Sequence, residues 1–250
     1  MGGRTAGTAV LLVLGLALTS CTSAAPESSP APAPEPTAQE AAVLDEESGV
    51  ITLAFAGDVH FEAHVARLLD RPRSALGPIA ATLREADLAM LNLESAVTVR
   101  GRRDPKELED PDNRYHFRTS PRALDVLAAA GVDVVSVANN HVGDYGAVGL
   151  ADTLAAARDA DVEVIGIGRD EAEALTPHRV TRDGIDVAFL AADSVFREGS
   201  SDVWAAGPDS AGVAAARRAR PAALLDAVRQ SAEVDDVVVV YLHWGRERQS

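Results

Sequence analysis

The sequence predicts an α/β fold with a largely parallel sheet over residues 49–250. Short apolar segments rich in Val, Ile and Leu alternate with segments of helical periodicity, and this alternation is typical of parallel strands joined by helices. Hydrophobic residues make up 47% of the 250-residue chain and charged residues 24%. Those proportions are typical of globular proteins and suffice for one core of up to about 200 residues.

The first half of this domain is predicted to alternate between buried strands and short helices. Pro121 is suited to the start of a helix and Gly131 to the position just after its end. The predicted strands are 50–56, 87–93, 115–118 and 132–138, and the predicted helices are 62–69, 78–85 and 121–130. Residues 99–114 are charged and contain proline, which favours a solvated loop; the alternative is a flap that faces substrate.

The second half continues the alternation and adds a hairpin. Leu150 and Leu154 share one face of a predicted helix, and Arg182-Asp183-Gly184 predicts the turn of an antiparallel pair near 176–191. The predicted helices are 149–160, 171–175 and 211–231, the last interrupted by Pro221. The predicted strands are 162–167, a short strand at Val180, 185–191 and 237–242, with a loop over 193–210.

The N-terminal part predicts an export signal and a tether. Residues 1–20 combine Arg4 with a short apolar run, and the small residues before Cys21 resemble a bacterial lipobox. The resemblance implies cleavage before Cys21, lipid on that cysteine, and an anchor on the extracellular face of the cell membrane. Residues 21–48, rich in Pro, Ala and Ser, predict a disordered tether. An ordinary signal peptide is the alternative.

Charge and cysteine content exclude several classes of protein. The formal net charge of −15 argues against nucleic acid or an anionic membrane surface as the main partner. A single cysteine excludes an intrachain disulfide. The sequence contains no Gly-x-Ser-x-Gly elbow, no Walker loop and no Rossmann glycine fingerprint.

Polar side chains stand at the points where predicted strands end. The clusters are Asp58 with His60, Asn92 with Glu94, Asn140 with His141, and His243. Each cluster alone is more often structural, but open α/β sheets bind ligands beyond the carboxyl ends of their strands. The coincidence therefore favours a metal or acid–base site. Oxygen and imidazole donors without a thiolate suit one or two divalent ions, of manganese, iron, zinc or magnesium.

Individual side chains suggest roles within such a site. Asp58 and His60 are two residues apart in an extended segment, so they share one face and can meet one metal. Asn140 offers a carbonyl oxygen to a hard cation, and His141 can ligate a metal or act as a general acid. Asp144 could orient either of these two residues.

These motifs resemble the CapA family of capsule-synthesis proteins, which is linked to poly-γ-glutamate and is similar to the calcineurin-like metallophosphoesterases. The segments that carry the resemblance are 57–60, 86–94, 138–146, 166–172 and 243–247. The resemblance implies a metallophosphoesterase-like layered α/β sandwich that is C-terminally incomplete, because a Gly-His-x-His segment is expected after His243. It also implies an anionic envelope polymer of the poly-γ-glutamate type as partner, within a capsule-synthesis complex.

The resemblance also assigns roles to single residues. It implies that Asp58 and His60 hold one metal, that Glu94 bridges, that Asn140 and His243 hold a second metal, and that His141 is the acid. Around them, Asn92, Asp144 and Glu247 would support the ligands.

Three functions stay open from the sequence. The first is a lipid-anchored, metal-dependent enzyme that acts on a γ-glutamyl polymer or another envelope amide or phosphoester. The second is a non-catalytic component that exports or anchors the polymer. The third is a phosphoesterase with a small substrate.

Overall fold

A computed structural model describes residues 49–195, 203–216 and 221–245 of the chain. The predicted signal segment, Cys21, the tether over 21–48 and Glu247 lie outside these residues. Within the described part, no helix has both the length and the apolar character needed to cross a membrane.

Strands and helices alternate along the described residues, as the sequence predicts. The strands are β1 (Leu53–Val59), β2 (Leu88–Leu93), β3 (Ala96–Val97), β4 (Arg118–Thr119), β5 (Val134–Ser136), β6 (Glu163–Ile165), β7 (Ile167–Gly168), β8 (His178–Arg182), β9 (Ile185–Asp193), β10 (Gly212–Val213) and β11 (Val237–His243). The α-helices are α1 (Ile79–Glu85), α2 (Arg122–Ala129), α3 (Gly146–Asp159), α4 (Glu171–Ala174) and α5 (Pro221–Ser231). Short 3-10 helices occupy Ala63–Asp70, Pro72–Ser74 and Pro111–Asn113.

Two larger sheets form the framework. The first has the order β1-β2-β5-β6 with every pair parallel, and the second has the order β11-β9-β8, with β11 parallel and β8 antiparallel to β9. Two small sheets pair β3 with β4 and β7 with β10. The predicted α/β class, its parallel sheet and its hairpin around residue 183 are confirmed.

Strand β9 shows how the layers pack. Val187 and Phe189 belong to a core that also contains Met90 of β2 and residues of helices α1, α2 and α3. The alternate residue Leu190 belongs to a second core with Leu224 of α5. Because successive side chains of a strand point to opposite faces, β9 is covered on both sides. The result is a layered sandwich of helices and two sheets, and it explains the unbroken apolar run in β9.

A fully buried aromatic side chain of this core provides a stability test. Phe189 is 1% exposed, whereas Phe55 on β1 is 53% exposed. We expect Phe189→Ala to lower the free energy of unfolding by about 3–5 kcal/mol, because it removes buried surface and leaves a cavity. In a thermal melt this corresponds to a fall in Tm of roughly 10 °C. Phe55→Ala is the control, and equal losses in the two variants would contradict this packing.

Gly166 lies between β6 and β7, where the backbone closely approaches Ala138 and Ala191 and favours glycine. Its φ is +85°, and an added Cβ would lie 2.5 Å from the Cβ of Ala138 and 3.2 Å from that of Ala191. Gly184 has a φ of +79° but nothing within 4 Å of an added Cβ. Gly166→Ala should therefore lower the free energy of unfolding by roughly 1–3 kcal/mol more than Gly184→Ala does, because overpacking adds to backbone strain. Equal urea midpoints for the two variants would show that no close approach exists at Gly166.

Some sequence predictions are wrong in detail. In the segment predicted as a helix over 211–231, Gly212–Val213 forms β10 and pairs with Ile167–Gly168, and the described helix is Pro221–Ser231. The reason is tertiary: an added Cβ at Gly212 would lie 2.3 Å from the carbonyl oxygen of Trp204, so the backbone there packs too closely for a helix. The helix predicted over 62–69 is of the 3-10 type.

The first strand also departs from its prediction. The sequence predicts a buried strand over 50–56 that ends before Asp58, but β1 runs on to Val59 at the edge of its sheet and is only partly buried. Its pairing with β2 shifts register between Phe55 and Asp58. Such irregularities re-aim side chains and occur beside functional sites. The shift places Asp58 opposite Asn92.

Candidate metal centre

Three side chains that could bind a metal converge at the carboxyl ends of the strands. Asp58 lies on β1, Glu94 directly follows β2 and His243 ends β11. One ligand atom from each lies within 4.8 Å of the others. Nδ1 of His243 is 3.4 Å from Oδ1 of Asp58, and its Nε2 is 3.5 Å from Oε1 of Glu94. Residues far apart in the sequence thus form one cluster.

Asparagine side chains surround this cluster. Oδ1 of Asn140 lies 2.8 Å from Nε2 of His243. Nδ2 of Asn92 donates to Oδ1 of Asp58 at 2.8 Å, and Nδ2 of Asn139 donates to Oδ1 of Asn92 at 3.1 Å. The Asn139–Asn92–Asp58 chain is buried at its inner end, where an unpaired amide would be costly, so it fixes the Asp58 carboxylate. The role of Asn92 in supporting a metal ligand stays a prediction.

Burial and neighbouring charges shift the pKa values of several groups in and around the cluster. Burial raises the pKa of the Glu94 carboxyl above its usual value, although the nearby imidazoles of His141 and His243 oppose this. The hydrogen bond with His243 holds the pKa of the Asp58 carboxyl below its usual value. Burial, together with the charges of Asp58 and Glu94, raises the pKa of Tyr241 to about 12. A bound cation would offset the cost of gathering these acidic groups.

The His243 imidazole is affected by opposing influences. Burial alone disfavours its charged form, but the Asp58 hydrogen bond and the charges of Asp58, Glu94 and Asp193 outweigh burial, so its pKa is raised. Two carboxylates, one imidazole and the Asn140 amide oxygen form a donor set without a thiolate. This set fits a divalent cation such as manganese, iron, zinc or magnesium.

His60 lies outside the convergent group. Its ring is exposed and stacks on Phe117 with centroids 4.9 Å apart, and its Nδ1 lies 3.3 Å from the backbone nitrogen of Glu62. The three side chains whose ligand atoms converge do not include His60. Its role as a metal ligand stays a prediction.

His141 stands beside the cluster and is held by Asp144. Nδ1 of His141 lies 2.7 Å from Oδ2 of Asp144, and its Nε2 lies 3.7 Å from Oε1 of Glu94. The ring of Phe117 stacks on the imidazole with centroids 4.2 Å apart. The backbone N–H of His141 donates to Oδ1 of Asn139 at 3.0 Å. These contacts leave Nε2 as the ring nitrogen that faces the metal ligands.

Sequence reasoning missed two charged residues at this site. Asp193, at the end of β9, is buried and pairs in register with His243, so the strand-end pattern could have identified it. Lys106 lies in the charged segment 99–114, yet its ammonium is buried and pairs with Asp144. Nothing in the local charge pattern separates Lys106 from its exposed neighbours. Most residues of the segment are exposed, as a solvated loop predicts, and the flap alternative stays a prediction.

Comparisons with known proteins agree with the resemblance drawn from the motifs. The chain is 26% identical over 213 residues to the capsule biosynthesis protein CapA of Bacillus anthracis, covering 83% of this chain and 49% of that protein. It is 26% identical over 203 residues to the PGA biosynthesis protein CapA of Bacillus subtilis, covering 79% and 50%. The chain therefore spans about half the length of the relatives it matches.

Among solved structures, a phosphatase from Mycoplasma pneumoniae matches with a TM-score of 0.43 and 15% identity, covering 78% of this chain and 56% of that one. The model of one protein family, described as bacterial capsule synthesis protein PGA_cap, matches residues 52–250. This match takes in every strand and helix of the described residues, and with it the cluster of Asp58, Glu94 and His243. The chain thus belongs to the PGA_cap family of bacterial capsule synthesis proteins.

Proposed function

We propose that this protein takes part in the synthesis or processing of poly-γ-glutamate or a related anionic envelope polymer through a divalent-metal site. The observation that carries the proposal is the convergence of Asp58, Glu94 and His243 at the strand ends, beside His141. Family membership and the names of the two CapA relatives support the link to the polymer. The lipobox-like segment before Cys21 supports an anchor on the extracellular face of the membrane.

The site residues suit cleavage or transfer at an amide or phosphoester. When bound, the cation would supply Lewis acidity, and Asp58, Glu94, Asn140 and His243 would hold it. Asp144 accepts the Nδ1 hydrogen of His141 and fixes the ring, so that Nε2 can hold a proton at the metal side. His141 would give that proton to the leaving nitrogen or oxygen, as a general acid.

The proposal is tested on the full chain loaded in turn with manganese, iron, zinc and magnesium. We expect at least one metal to bind in a defined ratio and to support turnover of a γ-glutamyl polymer, measured as a change in polymer length. Turnover of p-nitrophenyl phosphate but not of polymer would favour a small-substrate phosphoesterase. Binding of polymer without turnover at full metal loading would reject the enzyme and favour an export or anchoring component.

The anchor requires a separate measurement. In cells given a labelled fatty acid, the wild-type protein should carry the label and sediment with membranes. Cys21→Ser should lose both properties, because the thiol is the proposed site of lipid attachment. Label that persists in Cys21→Ser would contradict the lipid anchor without bearing on the metal site.

A further inference from the structure

Lys106 is exceptional within this sequence. It is the only lysine in the chain, and the other 22 basic residues are arginines. Its side chain is 1% exposed, although lysine is among the residues least often buried. Its backbone φ is +47°, in the left-handed region that residues with a Cβ rarely adopt. A buried charge and a strained backbone at one residue are both unfavourable, and such combinations gather at functional sites.

The ammonium of Lys106 lies at the centre of a buried charged group. Its Nζ is 2.8 Å from Oδ1 of Asp144 and 3.2 Å from Oε1 of Glu109. Nδ1 of His141 is 3.4 Å away. A compact ammonium with three donors can serve several acceptors in a small space, whereas the planar guanidinium of arginine needs a wider one. This explains why residue 106 is a lysine, although the other 22 basic residues of the chain are arginines.

The group determines which nitrogen of His141 carries hydrogen. Oδ2 of Asp144 lies 2.7 Å from Nδ1 of His141, a distance that two facing lone pairs would not tolerate. Nδ1 therefore carries a hydrogen and donates it to Asp144, and the 3.4 Å contact from Lys106 is not a hydrogen bond. Nε2 is then the ring nitrogen that faces Glu94.

Lys106 completes the set of contacts that hold Asp144. The backbone N–H of Phe117 donates to Oδ2 of Asp144 at 2.7 Å, and the Lys106 ammonium forms an ion pair with Oδ1 at 2.8 Å without the geometry of a hydrogen bond. Asp144 is fully buried, so Oδ1 would otherwise be a charged oxygen without a partner. Without the ammonium, nothing would hold Oδ1 in place, so the carboxylate would turn and its hold on the imidazole would weaken.

We propose that Lys106 is a positioning residue that acts through Asp144 to fix the orientation and tautomer of His141. This inference rests on the proposed function, because a fixed His141 matters only if that residue serves the metal site. It also makes the 99–114 segment part of the site, since the buried ammonium comes from the middle of that segment.

The test begins with the metal-free protein, so that it does not depend on activity. With ¹⁵N-labelled lysine the chain should give one side-chain ammonium signal, which should exchange slowly with water because the group is buried. With ¹⁵N-labelled histidine, the ring signals of His141, assigned with His141→Gln, should show hydrogen on Nδ1. In Lys106→Met we expect those signals to change to a mixture of tautomers. Unchanged His141 signals in folded Lys106→Met would overturn the proposal.

Two further variants distinguish the effect of the Lys106 ammonium from the effect of its positive backbone φ. Lys106→Gly relieves the positive φ but should change the His141 signals as Lys106→Met does, whereas Lys106→Arg keeps the charge and should restore part of the wild-type pattern. If Lys106→Met does not fold, the double variant Lys106→Met with Asp144→Asn removes both buried charges together and carries the test. Wild-type His141 signals in Lys106→Gly or in that double variant would overturn the proposal.

Kinetics on the metal-loaded protein give a second readout. In Lys106→Met we expect kcat to fall by roughly 10- to 100-fold, while KM and metal content change little. This range is typical of residues that hold ligands or catalytic groups in position without contacting the metal. A fall in metal content of the same size would instead make Lys106 part of the metal site and overturn the positioning role. If the wild type neither loads metal nor turns over substrate, the proposed function fails, while the His141 spectrum still decides this inference.

Discussion

Asp58→Ala and His243→Ala are each expected to lose metal binding, with affinity falling by at least about 100-fold, the upper end of the range for residues that only support a ligand. Both side chains place a ligand atom within 4.8 Å of the other and of Glu94. A cation with fewer protein ligands is bound more weakly. The remaining carboxylates still carry the free-energy cost of their desolvation. Isothermal titration with manganese or zinc, and metal content after gel filtration, measure the loss.

Thermal melts provide an independent measure of the same loss. At free metal about 100 times above the dissociation constant, binding adds about 2.7 kcal/mol to the stability of the wild type. Asp58→Ala and His243→Ala should gain none of this, so their melting curves should coincide with and without metal. Because the Asp58 side chain is 47% exposed, its removal should leave the metal-free fold intact.

Matched controls separate the metal site from the general acidity of the surface. His64 and Glu233 are exposed residues that take no part in the cluster. His64→Ala and Glu233→Ala should bind metal as the wild type does. Wild-type affinity in Asp58→Ala, or a loss in either control equal to that in His243→Ala, would contradict a metal centre at the strand ends.

The framework of this site could be predicted because strand ends are visible in the sequence. An apolar run followed at once by a carboxylate, an amide or an imidazole is enough to identify Glu94, Asn140 and His243. The first sheet brings Glu94 and Asn140 together, since its parallel strands place their carboxyl ends at one edge. His243 ends β11 of the second sheet, so its approach to them depends on how the two sheets pack. Asp193 obeys the same rule, and applying the rule to β9 would have predicted its burial beside His243.

The parts that could not be predicted depend on contacts between distant segments. Lys106 and Phe117 lie in a stretch with almost no regular structure, and their contacts with Asp144 and His141 arise only when that stretch folds over α3. The local composition around Gly212 also led to a wrong prediction. The alanine-rich segment has helical propensity, but Gly212 pairs with Gly168 in a small sheet instead. His60 shows the converse: spacing in an extended segment placed it with Asp58, but β1 ends at Val59 and the His60 ring stacks on Phe117 instead.

His141→Gln is expected to lower kcat by roughly 10²- to 10⁴-fold, the usual contribution of a general acid or base, while the protein keeps its metal. Its Nε2 faces Glu94 across 3.7 Å, and its Nδ1 is fixed by Asp144. Glutamine keeps polar atoms of similar reach but cannot exchange a proton near neutral pH. Turnover of γ-glutamyl polymer or p-nitrophenyl phosphate by the loaded protein gives kcat, and elemental analysis gives metal content.

The combination of the two readouts identifies the role of His141. Lost turnover with full metal content makes it the acid, because the cation is then held by Asp58, Glu94 and His243 without it. Lost turnover together with lost metal would make it a further ligand and would contradict the role proposed here. Since His64→Gln removes an exposed imidazole, it should change neither readout. Full turnover in His141→Gln would leave the metal ligands without an acid on this side of the site, and the proton would then have to come from solvent.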